Sequence, residues 1–366
     1  MYEQQIWESV FFMFYGGVAV FSMIACCYLL FRQDNAFASD VKSPVRLRRW
    51  TAAFFASVTL SHVWYLPMYI LPSSDAAKLS YLLGGLLDFM IVFPLVIVVV
   101  IVMLQDRRRS LWPVGVMVVP LVVMGVVCVV TRSVVALPYI YAYFVLMCVG
   151  IILYMVRALR QYDRWLHDNY ADLEHKEVWQ SLVILVITLL AMVIYTFEIG
   201  GQAYEYVVQA IDVLVICYFL WRAETLSDLS IPAQDTEAGM SSLSIRNNIE
   251  PLLERYCEEP RLYLQYDISL SELARKIGTN RVYLSKHFAS QGINYNVYIN
   301  RLRVKYFIKL CQEAAATHQP VITKQLAYQS GFRTYGTFNS AFKQVMGMTA
   351  TEWMRKFNIV KFDSKS

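Results

Sequence analysis

The sequence predicts an all-α protein in two parts: an N-terminal bundle of seven membrane-spanning helices and a C-terminal domain of shorter, amphipathic helices. Hydrophobic residues make up 57% of the 366 residues, whereas soluble domains hold about 45–50%. Nearly all long apolar runs precede residue 222, and residues 267–366 carry 15 Lys and Arg against 5 Asp and Glu. These patterns predict four segments: a transmembrane domain at 1–222, a linker at 223–248, a C-terminal domain at 249–358 and a tail at 359–366.

A membrane-spanning helix needs about 20 mostly apolar residues, because roughly 30 Å of hydrocarbon is crossed at about 1.5 Å per residue. The third predicted span meets this requirement most clearly, and the seventh meets it least well because it contains two carboxylates. The seven predicted spans are Val10–Phe31, Thr51–Leu71, Leu79–Leu104, Trp112–Val130, Pro138–Val156, Trp179–Phe197 and Tyr204–Trp221.

Basic residues are distributed unequally between the two sides of the predicted bundle. The loops after the first, third and fifth spans carry 12 Lys and Arg, and the other side carries only Lys78 and Arg132. Cytoplasmic loops of membrane proteins are enriched in basic residues. We therefore expect a multi-pass protein of the inner (cytoplasmic) membrane, with its N-terminus outside and its C-terminal domain in the cytoplasm.

Several polar side chains lie within or at the outer ends of the predicted spans: His62, Asp88, Glu198, Glu205 and Asp212. A carboxylate at the centre of a bilayer costs at least about 2.5–3.5 kcal/mol, and such groups usually face the interior of a bundle or a cavity. The candidates for an outward-opening sensor pocket are therefore His62, Asp88 and Asp212, and the two aspartates are the stronger ones because they lie deepest. The alternative is that these groups only form hydrogen bonds between helices, or that Glu198 and Glu205 lie at the membrane interface.

The linker after the last span is polar, and Pro232 and Gly239 interrupt any helix there. As a flexible chain of this length it would span roughly 25–30 Å, which would keep the C-terminal domain close to the membrane. The alternative is that the last span continues as a rigid helix through Leu229.

An internal repeat occupies the C-terminal domain. Its copies, Ser269–Phe288 and Ile322–Phe342, each contain a Leu-Ala pair, a glycine five residues after that leucine, and an apolar residue four positions before a phenylalanine. In the first copy Ser269 and Glu272 form an S-x-x-E capping box, which predicts a helix from Leu270. The glycine then ends the helix with a positive φ. Each copy therefore predicts a helix-turn-helix unit, a motif whose second helix reads the major groove of DNA.

The segment between the copies predicts a longer helix that holds the two units apart. Ile299, Leu302, Tyr306 and Leu310 recur at helical spacing and are expected to form its apolar stripe. The residues expected in the cores of the two units are Leu273, Ala274, Leu284, Phe288, Leu326, Phe332, Phe338 and Phe342.

Residues from about 249 to 356 resemble the C-terminal domain of AraC/XylS-family regulators. The motifs that carry the resemblance are ELARKIGTNRVYLSKHF, YINRLRVKYFIKLC, LAYQSGF and TFNSAFKQVMGMT. The chain departs from the family pattern at Ala350, where proline is usual, and at Thr323, where an apolar residue is usual. A multi-span half joined to this double helix-turn-helix domain resembles the membrane-anchored members of the family.

The resemblance implies two recognition helices that enter successive major grooves on one face of double-stranded DNA. Arg and Lys pair with guanine, Asn pairs with adenine, and methyl groups contact thymine. The predicted base-reading residues are Arg281, Val282, Ser285 and Lys286 on the first recognition helix, and Tyr335, Gly336, Thr337, Asn339 and Ser340 on the second. The predicted phosphate contacts, which position the protein without reading sequence, are Arg303, Lys305 and Lys343.

We therefore predict a one-component transcription factor in which a signal sensed at or in the membrane controls sequence-specific DNA binding. Its expected partners are double-stranded DNA, RNA polymerase, membrane lipids, a second copy in a homodimer, and an unidentified ligand or membrane partner. No catalytic residue, cofactor or metal site is expected, because no enzyme motif and no Cys/His metal spacing occurs. The alternative is a multi-span receptor or transporter whose basic helical tail binds a protein rather than DNA.

Overall fold

The computed structural model describes residues 2–32, 35–36, 41–67, 74–131, 135–196, 201–229, 249–317 and 320–357. The predicted all-α class is confirmed. Within the described ranges there is no β-strand, only an isolated bridge between Tyr170 and Ser269. The chain forms two compact units, one of Met1–Tyr162 with Val178–Ile231 and one of Asp163–Glu177 with Pro232–Ser366. The predicted tail at 359–366 lies outside the described residues.

The first unit is built from long apolar helices. They are α1 (Tyr2–Phe31), α2 (Val45–Trp64), α3 (Ser74–Leu87), α4 (Phe93–Met103), α5 (Trp112–Thr131), α6 (Leu137–Asn169), α7 (Gln180–Thr196) and α8 (Gly201–Thr225). The last turns of α6 belong to the second unit. Each of the seven predicted spans coincides with helix in the described residues, although the predicted ends Leu71 and Phe197 lie outside them.

Five stretches of the described residues are long and apolar enough to cross a membrane. They are Ser9–Phe31, Leu79–Met103, Trp112–Thr131, Leu137–Asn169 and Ala203–Thr225. Helix α7 holds a shorter apolar stretch, Gln180–Ile194, and α2 is not among the five. The count of seven spans therefore stays a prediction.

Helix α5 buries one face and exposes an equally apolar one. Val114, Val118 and Leu121 are buried, whereas Val123 and Val130 are 55% and 75% exposed. Helix α1 repeats the pattern on its own outer face. Exposed apolar surfaces of this extent mark contact with a partner or with lipid.

The third predicted span contains a widened turn. Helix α3 passes into a π-helical turn at Asp88–Val92, closed by the bond from Phe93 N–H to the Asp88 carbonyl, and α4 follows. Pro94 lacks the N–H that a continuous α-helix would use, and π-turns of this kind are frequent at functional sites. The turn places one of the predicted pocket residues, Asp88, at the break.

The end of α8 is held by the end of α1, the loop after it and the start of α2. The Glu224 side chain is fully buried and accepts hydrogen bonds from Arg48 Nη1 (2.5 Å), the Ala36 N–H (3.0 Å) and the Tyr28 hydroxyl (3.2 Å). Such charge-assisted bonds are stronger than neutral ones. They fix the point at which the chain leaves the first unit.

The alternative of a rigid helix through Leu229 is wrong, and the flexible linker stays a prediction. Helix α8 ends at Thr225 rather than continuing through Leu229. The residues that follow are bonded to the first unit, since the Asp228 N–H donates to the Lys42 carbonyl (2.8 Å) and the Leu229 N–H to Gln105 Oε1 (2.8 Å). The remainder of the predicted linker, 230–248, lies outside the described residues.

The second unit consists of short helices packed around two hydrophobic clusters. They are α9 (Ile249–Leu253), α10 (Leu270–Ile277), α11 (Arg281–Ser290), α12 (Tyr295–Ala316), α13 (Thr323–Gln329), α14 (Tyr335–Met346) and α15 (Ala350–Lys356), with a π-turn at Glu254–Glu258 and a 3-10 turn at Leu262–Leu264. Helices α10 and α11 form the first helix-turn-helix unit, and α13 and α14 form the second. Each pair follows the repeat identified in the sequence.

The loop after α6 contributes to the core of the first helix-turn-helix unit. Ala171 is fully buried in its hydrophobic cluster, and the Ala171 N–H donates to the Ile268 carbonyl (3.4 Å). Asn296 Nδ2 of α12 donates to the carbonyls of Tyr170 (3.2 Å) and Ala171 (2.8 Å). A segment that the sequence assigned to the membrane domain is therefore part of the second unit.

The same loop contacts the residues directly ahead of α10. Tyr170 forms the isolated bridge with Ser269, the N-cap residue of α10. Lys176, which is 3% exposed, pairs through Nζ with Asp267 Oδ1 (2.9 Å). We call residues 170–176 the docking loop. Its contacts fix the start of the first helix-turn-helix unit.

Candidate nucleic-acid interface

Capping residues position both helix-turn-helix units. The Ser269 and Glu272 capping box is present, and Gly278 ends α10 at a φ of 81°. Recognition helix α11 begins where Asn280 Oδ1 accepts the Tyr283 N–H (3.0 Å). In the second copy, Thr334 caps α14 by accepting the Thr337 N–H.

Recognition helix α11 presents the predicted base readers on its outer face. Leu284 and Phe288 are buried and anchor the helix to the first cluster. Arg281, Val282 and Lys286 are exposed, and Ser285 is partly exposed. The exposed set combines two cationic groups with a methyl-bearing side chain, which are the donors and apolar contacts that a major groove accepts. That they read bases stays a prediction.

Recognition helix α14 is anchored by Phe338 and Phe342, which are fully buried. Of its five predicted base readers, two are exposed and three are partly buried. The Tyr335 ring packs on Phe338 at 5.6 Å between centroids, and the Thr337 hydroxyl is bonded to the Thr334 hydroxyl (2.8 Å). The exposed pair is Gly336 and Ser340, with Asn339 partly exposed. Tyr335 and Thr337 therefore also have structural roles.

The two helix-turn-helix units are fixed to each other through the turn at Leu262–Leu264 and the residues after it. Gly331 follows α13 with a φ of 86°, and a side-chain carbon there would lie 2.7 Å from the backbone of Leu264. Only glycine satisfies both the positive φ and this close approach. The predicted role of Gly331 in ending the helix is confirmed, with a packing role added.

Arg303 is not a phosphate contact, and this prediction is wrong. Its side chain is 1% exposed. Nε donates to the Tyr263 carbonyl (2.8 Å), and Nη2 donates to the carbonyls of Gln265 (2.8 Å) and Tyr266 (3.2 Å). The guanidinium also lies 5.6 Å from the centre of the Phe332 ring, which belongs to the second helix-turn-helix unit. Burial lowers the pKa of Arg303 to about 10 from 12.5, so the group remains charged at neutral pH. Its contacts connect the two helix-turn-helix units.

The buried face of α12 also differs from the predicted stripe. Ile299 is fully buried as expected, whereas Leu302, Tyr306 and Leu310 are only partly buried. The fully buried positions are Tyr295, Ile299, Arg303, Val304, Phe307 and Cys311. The buried positions recur about every four residues, and the helix contributes first to one hydrophobic cluster and then to the other.

A ridge of exposed cations runs along α12. Arg301, Lys305 and Lys309 are four residues apart and all exposed, which places them on one face of the helix. Lys305 is one of the predicted phosphate contacts. The four-residue spacing from Lys305 to Arg301 and to Lys309 is a sequence signal that could have added these two residues to the prediction. Lys343 on α14 is exposed as well. Both lysines are accessible, and phosphate contact by them stays a prediction.

The three predicted pocket residues of the first unit line one cavity of about 460 Å³. Asp88 Oδ2 accepts the Tyr65 hydroxyl (2.9 Å). The His62 ring is 5% exposed, with Nδ1 on the Val58 carbonyl (2.8 Å) and Nε2 on Gln209 Oε1 (3.0 Å). Asp212 lines the same space from α8. Sequence reasoning identified the ionisable groups, whereas Tyr65 carries no signal that distinguishes it from other tyrosines in the spans.

Comparison with known proteins defines the class of the C-terminal domain. The family model described as "Helix-turn-helix domain" matches residues 273–356. This range contains both recognition helices and the helix between them. Residues 273–356 thus form a helix-turn-helix domain of the AraC type.

Curated relatives share this domain. The TCP pilus virulence regulatory protein of Vibrio cholerae is 31% identical over 84 residues, which is 23% of this chain and 29% of that protein. An uncharacterized HTH-type transcriptional regulator of Staphylococcus aureus is 27% identical over 114 residues, 31% of this chain and 14% of that protein. The chain spans less than a third of the length of these relatives. No solved structure matches the chain.

The match has consequences for two alternatives. AraC-type helix-turn-helix proteins are transcriptional regulators and not enzymes, in agreement with the prediction from the sequence. The domain type and the relatives favour DNA over a protein as the partner of the basic C-terminal half.

Proposed function

We propose that the chain is a membrane-integral one-component transcription factor. Its first unit spans the inner membrane with the N-terminus outside, and its second unit binds promoter DNA in the cytoplasm. A signal perceived in the membrane half changes how the second unit engages DNA, alone or as a homodimer, and thereby recruits or blocks RNA polymerase. Lipids cover the exposed apolar faces of α1 and α5.

The docking loop is the single observation that carries this proposal. It lies between the fifth and sixth predicted spans, on the side rich in basic residues, and Ala171 is buried in the core of the first helix-turn-helix unit. Its contacts with Asp267 and Ser269 lie directly ahead of α10, and its contact with Asn296 is made to α12. A movement of α6 would therefore be transmitted through covalent continuity to the residues that position the first recognition helix.

Mapping of bound DNA in living cells tests the DNA-binding half of the proposal. Cells that express the tagged full chain are cross-linked, and the DNA recovered with the protein is sequenced. We expect a shared motif among the fragments, and a change at one motif position for Lys286→Ala. Lys309→Ala, which removes an exposed lysine outside the recognition helices, serves as the matched control and should preserve the motif. Recovery of random DNA by the unaltered chain would refute the proposal.

A second experiment tests the coupling. Ala171→Glu places a carboxylate in the buried cluster and should detach the docking loop, so that promoter output no longer depends on the membrane half. Arg160→Ala, an exposed change earlier on α6, is the control and should leave regulation intact. The coupling is refuted if Ala171→Glu regulates its promoters as the unaltered chain does while proteolysis shows that the loop has been released.

A further inference from the structure

The cavity of the first unit is acidic, and its described lining has no lysine or arginine. Asp88, Glu205 and Asp212 contribute three carboxylates, against which the only basic group is His62. Even with His62 protonated, the lining would carry a net negative charge when the three acids are ionised. An anionic ligand such as a fatty acid is therefore disfavoured by like-charge repulsion.

Two of these carboxylates lack a counter-charge within the described structure. Asp88 Oδ1 is buried and has no hydrogen-bond partner there, although Oδ2 accepts the Tyr65 hydroxyl. Asp212 faces the cavity and forms no ion pair with the described residues. Buried polar groups are normally satisfied, and an exception needs an explanation. A bound cation would supply a hydrogen-bond donor to Asp88 Oδ1 and a counter-charge to both carboxylates.

The position of His62 leaves it unsuited to neutralise them. Both of its ring nitrogens are engaged, Nδ1 with the Val58 carbonyl and Nε2 with the Gln209 amide. The hydrogen bonds of His62 thus orient the ring without pairing it to a carboxylate.

The rest of the lining selects for an organic cation rather than a bare ion. Eight of the described lining residues are aromatic, among them Tyr15, Tyr65, Phe89, Tyr141 and Tyr204. Aromatic faces attract cations and are used to recognise ammonium groups. A volume of about 460 Å³ falls within the range of roughly 300–1,000 Å³ typical of small-molecule sites. No group of three metal-ligating side chains occurs among the described residues.

We propose that this cavity binds a lipophilic organic monocation, an ammonium group attached to an apolar body, as the signal of the regulator. The ammonium group lies between Asp88 and Asp212, where it pairs with Asp88 Oδ1. The apolar body packs against the aromatic and aliphatic walls. This inference rests on the proposed function for its regulatory meaning, whereas the binding itself does not require DNA.

The π-turn gives the ligand a route to influence the fold. Asp88 is the first residue of this turn, between α3 and α4. A cation that draws the Asp88 carboxylate towards α8 would therefore act where the α-helix is interrupted, and helices bend at such π-turns. Asp212 lies on α8, whose end is fixed by Glu224. Ligand binding would thus link the two helices across the cavity.

Binding is tested on the full chain in nanodiscs of neutral phosphatidylcholine with three matched probes. These are 4-phenylbutylammonium, 4-phenylbutanol and 4-phenylbutyrate, which differ in charge and share the apolar body. We expect saturable binding of the ammonium compound by calorimetry, with affinity roughly ten- to hundredfold above that of the other two, as the loss of one charged hydrogen bond implies. Equal affinity for the three probes, or preference for the anion, would overturn the proposal without the need for any variant.

Variants then locate the site. Asp88→Asn and Asp212→Asn should each weaken binding of 4-phenylbutylammonium about tenfold or more, whereas Asp163→Asn, an exposed carboxylate on α6, should leave it unchanged. Unchanged affinity in both pocket variants would overturn the assignment. DNA binding is measured on the same samples. A chain that binds DNA but not the probe refutes only the ligand, and a chain that binds the probe but not DNA refutes the proposed function.

Discussion

Arg303 offers the sharpest test of the interface as described, because its structural role and a phosphate-binding role predict opposite results for Arg303→Lys. Lysine keeps the positive charge and binds phosphate well as a point charge. It cannot, however, reproduce the separate donors that Nε and Nη2 direct at three carbonyls. A structural arginine is therefore damaged by the substitution, and a phosphate contact is largely preserved.

The size of the effect follows from the lost bonds. If the ammonium group replaces one of the three hydrogen bonds, two charged bonds of about 1.5 kcal/mol or more are lost, which gives roughly 3 kcal/mol. The cost of burying a charge remains, so no compensating gain arises. Amide exchange in α12, followed by mass spectrometry on the full chain in nanodiscs, should accelerate by about two orders of magnitude.

Salt dependence of DNA binding completes the test. Arg303→Lys should leave the slope of log affinity against log salt unchanged in the fraction that remains folded, whereas Lys305→Met should reduce the slope by about one unit without faster amide exchange. Normal exchange in α12 of Arg303→Lys, or a reduced salt slope for Arg303→Gln with unchanged exchange, would refute the structural role of this arginine.

Three further predictions concern the helix-turn-helix units. Lys286→Ala should change the preferred base at one position of the bound site, at a cost of about 1–3 kcal/mol, whereas Lys343→Ala should weaken binding to all sequences alike. Competition binding with single-base variants of the site measures both effects, and equal losses of affinity for specific and random DNA in Lys286→Ala would contradict its role as a base reader. Gly331→Ala should destabilise the domain by more than the roughly 1–2 kcal/mol of left-handed strain alone, whereas Gly278→Ala, with a similar positive φ but open space around it, should show only that strain. Amide exchange measures both losses of stability, and equal losses would contradict the close approach of Gly331 to the Leu264 backbone. Ser269→Ala should cost about 0.5–2 kcal/mol through loss of the cap, and Ser269→Asp should restore most of it, so a failure of Asp to rescue would show that the cap is not the cause.

Local features of the sequence predicted most of the second unit. Capping boxes, glycines at helix ends and the spacing of Leu284 and Phe288 are encoded within a few residues of where they act, so the sequence determines them directly. The predicted core residues are buried with the exception of Leu326, which is partly buried against the second cluster. The apolar spans were likewise evident from composition alone.

Long-range features escaped prediction. Arg303 has the same local signature as the exposed Arg301, and only the fold of the 263–266 segment against α12 distinguishes the two. Ala171 lies in a polar loop about a hundred residues before the cluster that buries it, and no periodic pattern links the two. The bonds that hold Asp228 and Leu229 to the first unit are also contacts between distant segments. Such contacts depend on tertiary packing, which local propensity does not encode.

The central claim is that one chain combines a lipid-embedded bundle with a DNA-reading domain, and a single titration tests it most directly. The full chain is reconstituted in nanodiscs, and binding of a duplex recovered from the cellular mapping is measured from dilute to physiological salt. The account predicts that the duplex binds to the nanodisc-embedded protein with a steep negative dependence of log affinity on log salt, about 0.9 per phosphate contacted, and more tightly than a scrambled duplex. Failure to bind the duplex even in dilute salt, or recovery of the protein as a water-soluble species that does not enter the nanodisc, would contradict it.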